Sequence, residues 1–472
     1  MTLERQRPVL GHVAMLLVGT FLCLIGLTGC KDAIVAPIPE TDVEAHGSTA
    51  PGTEAPGTEA PGTDTSGTYT PDPEVPVDAA SGPTFRHMEL LDQAVRNSGK
   101  DGGTVELVLG LQGLASADEV LHRYQLLDDV LHRYDFKYVF NGLAVSVPNK
   151  KLSNFLRHLR TDTDIRWVEP ALALPKARSY SHANARGKQT ISWGVLQTGA
   201  LLSSARAGDG QGAIDGVDVY ILDTGVSSSD VNVVEQRDFT DSEAQDKDGH
   251  GTHVAAIAGG IDNEMGTVGI APGARVHSFK VVGPNNTADM ATVVYAIDEV
   301  TRIKRENPSR PMVVSIALGA NVNTSDYNSL DEAIQASTEA GVVYVVAAGN
   351  DYVDASNVTP AHTAEAITVG AQALPNQFAP FSNFGPAVDL LAPGADILAV
   401  EPDHGRKVKK LCLTSGTSMA AAHVVGAAAL YLSEHPDATP AQVRDALVSA
   451  AKSGVSGVPS QTTNKALYVG VF

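Results

Sequence analysis

The stretch TSGTSMAAAHVVGAAAL, at residues 414–430, joins a run of small residues to an apolar segment. Small residues around Ser418 allow a tight turn into a buried helix. A serine at such a helix start can point its hydroxyl outward, beside backbone N–H groups that have no partner within the helix. That placement suits a nucleophile, because the same N–H groups can stabilise an oxyanion. A capping serine without a chemical role is the alternative, since serine and threonine are common at helix N-termini.

The composition narrows the class of protein. The 472 residues allow two or three domains, and 43% hydrophobic residues can supply a large core. The formal net charge of -20 argues against a nucleic-acid-binding protein. The three cysteines, Cys23, Cys30 and Cys412, form no disulfide framework, because the first two fall in a predicted export signal.

Residues 1–30 are predicted to be a lipoprotein-type signal peptide. Arg5 and Arg7 give a basic start, and the apolar core at 13–25 is too short to span a bilayer comfortably. The segment ends in LTGC, which resembles a bacterial lipobox and makes Cys30 the expected lipidation site. An ordinary signal peptide with a chance cysteine is the alternative. Either reading predicts an exported protein.

A linker and a small domain follow the signal. Residues 31–83 carry APGTE and APGTD repeats, whose composition cannot bury enough apolar area to order the chain. Residues 103–174 show strand and helix periodicities in the order βαββαβ, which predicts a small α+β ferredoxin-like domain. Two strands are expected within 136–147, around the turn at Asn141-Gly142. One helix is predicted from residues at helical spacing, namely Val120, Tyr124, Leu127, Leu131 and Tyr134.

The rest of the chain predicts a larger α/β domain. Residues 176–188 are polar and predict a processing linker, and strands and helices alternate over 189–472. Compact apolar runs are typical of buried parallel strands, and they occur here at 217–222, 275–281, 311–316 and 342–346. Helical patterns occur between them, including 288–306 and 329–340. This alternation predicts a parallel sheet covered by helices on both faces.

Two of the apolar runs end in polar residues that suit catalysis. VYILDTG at 219–225 contains Asp223 at its end, and VVAAGN at 345–350 ends in Asn350. Open α/β sheets place their sites at the carboxyl ends of parallel strands, where a side-chain amide can donate to a developing oxyanion. Each motif also has a structural alternative, an Asx-turn for the aspartate and a turn for the asparagine.

Glycines flank a histidine in DGHGTHVAA, at residues 248–256. A general base needs an imidazole that can reach the substrate, so His250 is a candidate base. His250 and His253 could instead bind a metal, but no nearby cysteine and no HExxH pattern supports zinc. We therefore expect no metal site and a structural role for His253, packed near the helix start.

Together, in the chain order Asp, His, Asn, Ser, these motifs resemble those of the subtilisin-like serine proteases, a family known for the order Asp-His-Ser. The resemblance covers roughly 189–467, and the segment 350–361 is most similar to the proteinase K branch. YVFNGLA, at 138–144, resembles the inhibitory propeptide of the same family. The matching motifs lie around Asp223, at His250 (HGTHVA), at Asn350 (AAGN) and at Ser418 (GTSMA).

The resemblance implies a serine endopeptidase that works through an acyl-enzyme. Asp223 would orient the imidazole of His250, which would take and return the proton of Ser418. Asn350 and the Ser418 backbone N–H would bind the oxyanion. Substrate would bind as an added β-strand. The implied substrate-binding residues are Ala317, Leu318 and Gly319 along that strand, and Ala347, Ala348 and Gly349 around the P1 pocket.

The chain departs from the family pattern at several positions. Ala421-Ala422 stands where Thr-Pro is usual, a change that we expect the helix to tolerate. Ala317 replaces a serine and 286–289 replaces a Gly-Ser-Gly-rich edge, so the distal subsites are expected to differ. Ala373 stands where the proteinase K branch has a calcium-binding aspartate, so we predict no calcium there and leave other structural calcium sites open. No cofactor is expected for the chemistry.

The order of the segments predicts an inhibited precursor. The lipid anchor precedes the propeptide domain, so self-cleavage within 176–188 would separate the catalytic domain from its tether and release it. Proteins or peptides would be the substrates and the propeptide an intramolecular inhibitor, with no nucleic acid and no membrane contact except through Cys30. Two alternatives are a dedicated maturation protease for one envelope substrate and a catalytically silent binding module on the same fold.

Overall fold

The computed structural model describes residues 82–97, 103–176, 182–185, 188–240, 242–322, 326–404 and 410–472. The predicted signal peptide, nearly all of the predicted linker at 31–83 and parts of the predicted processing linker lie outside the described residues. No helix within the described ranges is both long enough and apolar enough to cross a membrane. All described residues belong to one compact unit, Gly67–Phe472.

The chain alternates strands and helices throughout this unit. The described strands are β1 (Thr84–Phe85), β2 (Thr104–Leu111), β3 (Leu131–Phe136), β4 (Gly142–Pro148), β5 (Ile165–Pro170), β6 (Ala173–Pro175), β7 (His182–Ala185), β8 (Asp218–Asp223), β9 (Val233–Asp238), β10 (Arg275–Lys280), β11 (Thr287–Asp289), β12 (Met312–Ile316), β13 (Ala320–Asn321), β14 (Val343–Ala347), β15 (Val358–Thr359), β16 (Ile367–Ala373), β17 (Gln377–Phe378), β18 (Leu390–Pro393), β19 (Ile397–Val400) and β20 (Leu411–Thr414). The described α-helices are α1 (Leu91–Asn97), α2 (Ala117–Asp128), α3 (Leu152–Leu159), α4 (Trp193–Gln197), α5 (His250–Gly259), α6 (Met290–Glu306), α7 (Ser329–Glu339), α8 (Thr417–Glu434) and α9 (Pro440–Ala450).

The N-terminal strands form a separate small sheet in the order β1-β5-β2-β4-β3. From β2 to β5 the elements follow the order βαββαβ, and β2 pairs antiparallel with both β4 and β5. Helices α2 and α3 bury Val120, Tyr124 and Phe155 against the same hydrophobic core as Leu107 and Leu143 of the sheet. The predicted ferredoxin-like arrangement of this region is therefore confirmed.

The prediction that Leu131 and Tyr134 continue the helix of Val120 and Tyr124 is wrong. Helix α2 ends at Asp128, and Asp129 adopts the left-handed conformation with φ 55. The chain then enters β3, which pairs with β4 and satisfies the backbone groups along that edge. Tyr134 stacks on Tyr295 of α6, with ring centroids 4.7 Å apart, so its partner lies outside the small domain.

The main sheet is parallel and central. Its strand order is β17-β16-β14-β12-β8-β10-β9, with β18 also paired to β16. Among the described pairs of this sheet, only β16–β17 is antiparallel. The predicted strands at 217–222, 275–281, 311–316 and 342–346 correspond to β8, β10, β12 and β14, with ends that differ by one residue.

Alternation along β8 shows why both faces need helices. Val219 and Ile221 lie in the hydrophobic core that contains α5 and α8. Tyr220 and Leu222 point to the opposite face and lie in the core that contains α6 and α7. Because a strand alternates its side chains between faces, a strand apolar throughout requires cover on both sides. The predicted doubly covered parallel sheet is thus confirmed.

The small residues of 414–430 allow two buried helices to touch. A Cβ atom on Gly426 of α8 would lie 2.6 Å from the carbonyl oxygen of Ala258 in α5. Any larger residue at this position would force the helices apart, because real Cβ atoms do not approach an oxygen so closely. The helices that begin at His250 and near Ser418 are therefore held against each other without intervening side chains.

Candidate active site

Strand ends and helix starts bring four predicted site residues to one edge of the main sheet. Asp223 is the last residue of β8, and Asn350 follows the end of β14 by three residues. His250 is the first residue of α5, and Ser418 is the second residue of α8. This edge is the carboxyl end of the parallel strands, where open α/β sheets place their sites.

The carboxylate of Asp223 is bonded to the imidazole of His250. The His250 Nδ1–H donates to both carboxylate oxygens, at 2.8 and 2.9 Å, and both residues are buried. Burial lowers the pKa of His250, but the charge of Asp223 and this hydrogen bond outweigh burial and raise the pKa above its ordinary value. This hydrogen bond fixes the orientation of the imidazole and leaves its Nε2 available to accept a proton.

A second buried carboxylate, which the sequence analysis missed, fixes the start of α5. Asp246 accepts hydrogen bonds from the backbone N–H groups of Gly249 and Thr252, at 2.8 and 3.0 Å. Thr224, next to Asp223, also donates its hydroxyl to Asp246 at 3.0 Å. The signal was available in the sequence, because an aspartate four residues before the candidate base can cap the turn that presents it.

Gly251 lets the helix approach the strand that carries the carboxylate. A Cβ atom at Gly251 would lie 2.2 Å from the carbonyl oxygen of Gly225 and 3.1 Å from Cβ of Asp223. The glycine after His250 is therefore a packing requirement of the Asp223–His250 contact.

Ser418 is buried at the start of α8 and faces the substrate-binding segment predicted from the sequence. Its hydroxyl donates to the carbonyl oxygen of Ala317 at 3.2 Å. Nε2 of His250 is buried and has no hydrogen-bond partner among the described residues. The Ser418–His250 hydrogen bond is thus not formed in this structure. Such bonds often form only when substrate is bound.

Asn350 presents a side-chain NH₂ group without a hydrogen-bond partner among the described residues. Its Oδ1 accepts hydrogen bonds from the backbone N–H and the hydroxyl of Thr417, at 2.8 and 2.9 Å. These two bonds orient the side chain, and its Nδ2 is buried without a partner in the described part of the chain. A buried donor left unpaired is costly, so this NH₂ group is available for an acceptor that binds between Asn350 and Ser418.

An extended tail of the small domain pairs with the segment predicted to bind the substrate backbone. β6 pairs antiparallel with β11, and Lys176 forms an antiparallel bridge with Leu318. The N–H of Gly319 donates to the carbonyl oxygen of Pro175 at 3.3 Å. The tail therefore lies between β11 and the segment that contains Ala317, as an added strand would.

The tail runs toward Ser418 where its described part ends. Lys176 lies opposite Leu318, and the neighbouring Ala317 is the residue whose carbonyl oxygen binds the Ser418 hydroxyl. Leu174 is fully buried and belongs to the hydrophobic core shared with Ala288 and Leu318. A buried leucine on an added strand is the arrangement expected of a bound peptide.

Lys176 forms an ion pair with Asp248, two residues before His250. The Asp248 side chain is 28% exposed and that of Lys176 17% exposed, so solvent screens the pair only in part. Burial raises the pKa of Asp248, but the hydrogen bond and charge of Lys176 outweigh it and hold the pKa below its ordinary value. Sequence reasoning missed this contact because 72 residues separate the two side chains.

The predicted P1 wall lies beside these groups. Ala347 ends β14, Ala348 is fully buried, and Gly349 has φ 103 in the left-handed region that favours glycine. The Gly349 N–H donates to the Thr417 hydroxyl at 3.0 Å, which ties this wall to the start of α8. Ala373 ends β16, and its methyl group offers no side-chain ligand for calcium.

Comparison with known proteins places this chain in a family. The model of the subtilase family matches residues 160–466, well over half of the chain. An extracellular serine proteinase of Thermus sp. (strain Rt41A) is 35% identical over 322 residues, covering 65% of this chain and 70% of the relative. Alkaline serine exoprotease A of Vibrio alginolyticus is 36% identical over 259 residues, with 54% and 45% covered.

A solved structure of a cold adapted subtilisin-like serine proteinase is 35% identical, covers 54% of this chain and 89% of its own, and has a TM-score of 0.47. The chain thus spans most of the Thermus relative but less than half of the Vibrio one. The family match and the Thermus and Vibrio relatives identify the class as a subtilisin-like serine protease. The chain belongs to the subtilase family.

Proposed function

We propose that this chain is a serine endopeptidase that cleaves peptide bonds through an acyl-enzyme on Ser418. The observation that carries the proposal is the buried Asp223–His250 hydrogen bond at 2.8 Å, formed at the sheet edge that also holds Ser418 and the unpaired NH₂ group of Asn350. A base with its second nitrogen unpaired, a nucleophile at a helix start and an oriented donor form the constellation that acyl transfer needs.

In the proposed reaction, every catalytic group is a side chain or backbone group of this chain. His250 Nε2 takes the Ser418 proton as Oγ attacks the scissile carbonyl, and Asp223 stabilises the imidazolium that results. The same Nε2 then gives the proton to the leaving amine, which leaves an acyl group on Oγ. Water then attacks the acyl carbonyl as Nε2 takes its proton. Return of that proton to Oγ of Ser418 releases the acid and restores the enzyme. Because Nδ1 already donates to Asp223, the ring presents the acceptor nitrogen to the serine.

Asn350→Ala should lower kcat by about 10²- to 10³-fold, the size of effect that subtilisin shows for loss of its own oxyanion amide. KM should change little, because the amide binds charge that develops only in the transition state. Steady-state kinetics on active-site-titrated enzyme measures both. Asn307→Ala, at the exposed end of α6, is the matched control and should keep wild-type kcat. A change confined to KM would contradict the assigned role.

We also propose that the chain is made as a lipid-anchored precursor with residue Cys30 modified and the small domain acting as its inhibitor. The tail at β6 supports inhibition, because it pairs with the predicted substrate-binding segment. Its described part ends opposite Leu318, next to the residue whose carbonyl oxygen accepts from the Ser418 hydroxyl. Self-cleavage within 176–188 would then leave the 189–472 domain held only by non-covalent contacts. The product would be a released, extracellular protease.

Fractionation tests the release. Wild-type cells should show the mature domain in the soluble fraction, whereas Ser418→Ala should remain in the membrane fraction as full-length chain. The N terminus of the soluble product should fall within residues 177–188. Mature active enzyme that stays with the membrane after loss of the small domain would contradict release, while leaving the endopeptidase assignment untouched.

The tail supports a substrate preference as well. We propose that the subsite occupied by Lys176 favours a basic side chain through Asp248, and that the small walls at Ala347 and Gly349 accept apolar or bulky P1 residues. In peptides that copy residues 171–184, replacing lysine 176 by glutamine should lower kcat/KM about fivefold, the effect of a partly screened ion pair. The Asp248→Asn enzyme should cleave both peptides at similar rates.

Matched controls separate this effect from general damage. An arginine at the Lys176 position of the peptide should keep the wild-type rate, and Asp445→Asn, an exposed carboxylate of α9, should keep the preference. An unchanged lysine preference in Asp248→Asn would contradict the role of this carboxylate. A library in which cleavage requires arginine or lysine at P1 would contradict the apolar P1 preference.

Two alternatives remain distinct in their outcomes. A dedicated maturation protease, favoured by the altered 286–289 edge, would cut one envelope protein in a proteome-wide cleavage assay, whereas a general endopeptidase would cut many. A silent binding module would not react with a serine-directed fluorophosphonate. We expect labelling on Ser418, with loss of the label in Ser418→Ala.

A further inference from the structure

Three side chains that could bind a metal lie together near the start of α5, the helix that begins with His250. They are His253 of α5, Glu401 just after β19, and Cys412 of β20. The ligand atoms of all three lie within 4.8 Å of one another. Nε2 of His253 is 3.2 Å from Sγ of Cys412 and 3.7 Å from Oε1 of Glu401. No role in the proposed reaction requires this cluster.

The hairpin of β19 and β20 presents its two ligands on one face. Ala399 is paired with Cys412, and the Glu401 N–H donates to the carbonyl oxygen of Lys410 at 2.8 Å. Glu401 and Ala399 share a face because side chains alternate along a strand, so Glu401 and Cys412 are diagonal neighbours. His253 reaches this face from α5, one helical turn after His250.

The three donor atoms and their spacing suit a cation with tetrahedral coordination. Zn²⁺ binds cysteine sulfur at about 2.3 Å and histidine nitrogen or carboxylate oxygen at about 2.0–2.2 Å, so tetrahedral donor atoms lie roughly 3.4–3.6 Å apart. The separations of 3.2 and 3.7 Å around Nε2 bracket that value. His253 and Cys412 are buried, whereas the Glu401 side chain is 32% exposed and leaves a path from solvent.

We propose that Nε2 of His253, a carboxylate oxygen of Glu401 and the thiolate of Cys412 bind one borderline-soft divalent cation, Zn²⁺ in the first instance. Binding releases the thiol proton of Cys412 to solvent, and water completes the fourth position. The bound ion links the helix that begins with His250 to the strand that leads into Ser418. Its effect is therefore on the stability of the two elements that carry the active site.

Cobalt titration tests the site without reference to peptide cleavage. The protein is the full chain with Ser418→Ala to prevent self-digestion and with Cys23→Ser and Cys30→Ser, so that Cys412 is its one thiol. Co²⁺ should bind with a stoichiometry of one and give both a thiolate-to-cobalt charge-transfer band and the visible bands of tetrahedral Co²⁺. Zn²⁺ should displace it.

Single substitutions distinguish a metal site formed by all three side chains from metal binding by the Cys412 thiol alone. Glu401→Gln should weaken Co²⁺ binding at least tenfold, and Cys412→Ser should abolish the charge-transfer band. His435→Gln, at the far end of α8, is the control and should bind as the parent does. Absence of the band at saturating Co²⁺, or a band of equal affinity in Glu401→Gln, would overturn the proposal.

Thermal unfolding gives a second measurement for any variant that folds poorly. Zn²⁺ should raise the Tm of the parent by several degrees, because a ligand that binds only the native state stabilises it. The Tm of Glu401→Gln should rise much less. Equal Zn²⁺ shifts in the two proteins, or no shift in the parent, would mean that the cluster is only a hydrogen-bonded network.

Discussion

Ser418→Ala should leave the chain uncut at the 176–188 segment and lower kcat by about 10⁶-fold, the size of loss that subtilisin itself shows when its serine is removed. The physical reason is that alanine has no hydroxyl to attack the scissile carbonyl, so the proposed acyl-enzyme cannot form. N-terminal sequencing and intact mass of the purified chain measure the cleavage, and steady-state kinetics measures kcat.

Ser433→Ala is the matched control, because Ser433 lies in the same helix and its hydroxyl donates to the carbonyl oxygen of Leu430 at 2.7 Å. This control should be cut and active. A Ser418→Ala chain that still yields the 189–472 domain in a purified, protease-free preparation would contradict self-cleavage by this site. Fluorophosphonate labelling of that variant would contradict the choice of nucleophile.

Asp223→Asn should lower kcat by about 10⁴-fold with little change in KM, because the carboxylamide can no longer hold the tautomer that leaves Nε2 as an acceptor. The pH profile gives an independent measure. His250 must be neutral to act as a base, so the activity of the wild type falls as the pH drops through the pKa of His250. Asp223 raises this pKa, so the acid limb of the profile should shift to lower pH in Asp223→Asn.

The other end of β8 offers a control with the same chemistry. Asp218 is a buried carboxylate bonded by Arg275 and Arg310 at 2.8 Å. Asp218→Asn should lower the Tm but keep the kcat and the acid limb of the folded enzyme. An acid limb that stays in place in Asp223→Asn would contradict the charge interaction between Asp223 and His250.

The sequence was sufficient where the signal is local. A strand buried on both faces is apolar throughout, so β8 and β14 could be placed to within a residue, and the polar residues at their ends could be assigned to one sheet edge. The same reasoning failed at Leu131 and Tyr134. Their spacing fits a helix, but the partners of Tyr134 include Tyr295 and Thr292, more than 150 residues away.

Contacts across the fold explain what the sequence could not supply. Lys176 and Asp248 meet because β6 lies along β11, a pairing between distant segments that the sequence does not display. His253 was expected to have a structural role, since its own segment contains no cysteine. Cys412 comes 159 residues later and meets it through the β19–β20 hairpin.

One contact of the small domain bears on timing. The backbone N–H groups of Lys137, Tyr138 and Val139 all donate to a single carboxylate oxygen of Asp298 in α6. While the chain is continuous, this contact is intramolecular and does not depend on concentration. If the 176–188 segment is cut as proposed, the same contact joins two molecules, and its occupancy then falls with dilution. An enzyme released in this way would stay inhibited while it is concentrated in the cell envelope. It would become active as it diffuses away from the cell that made it.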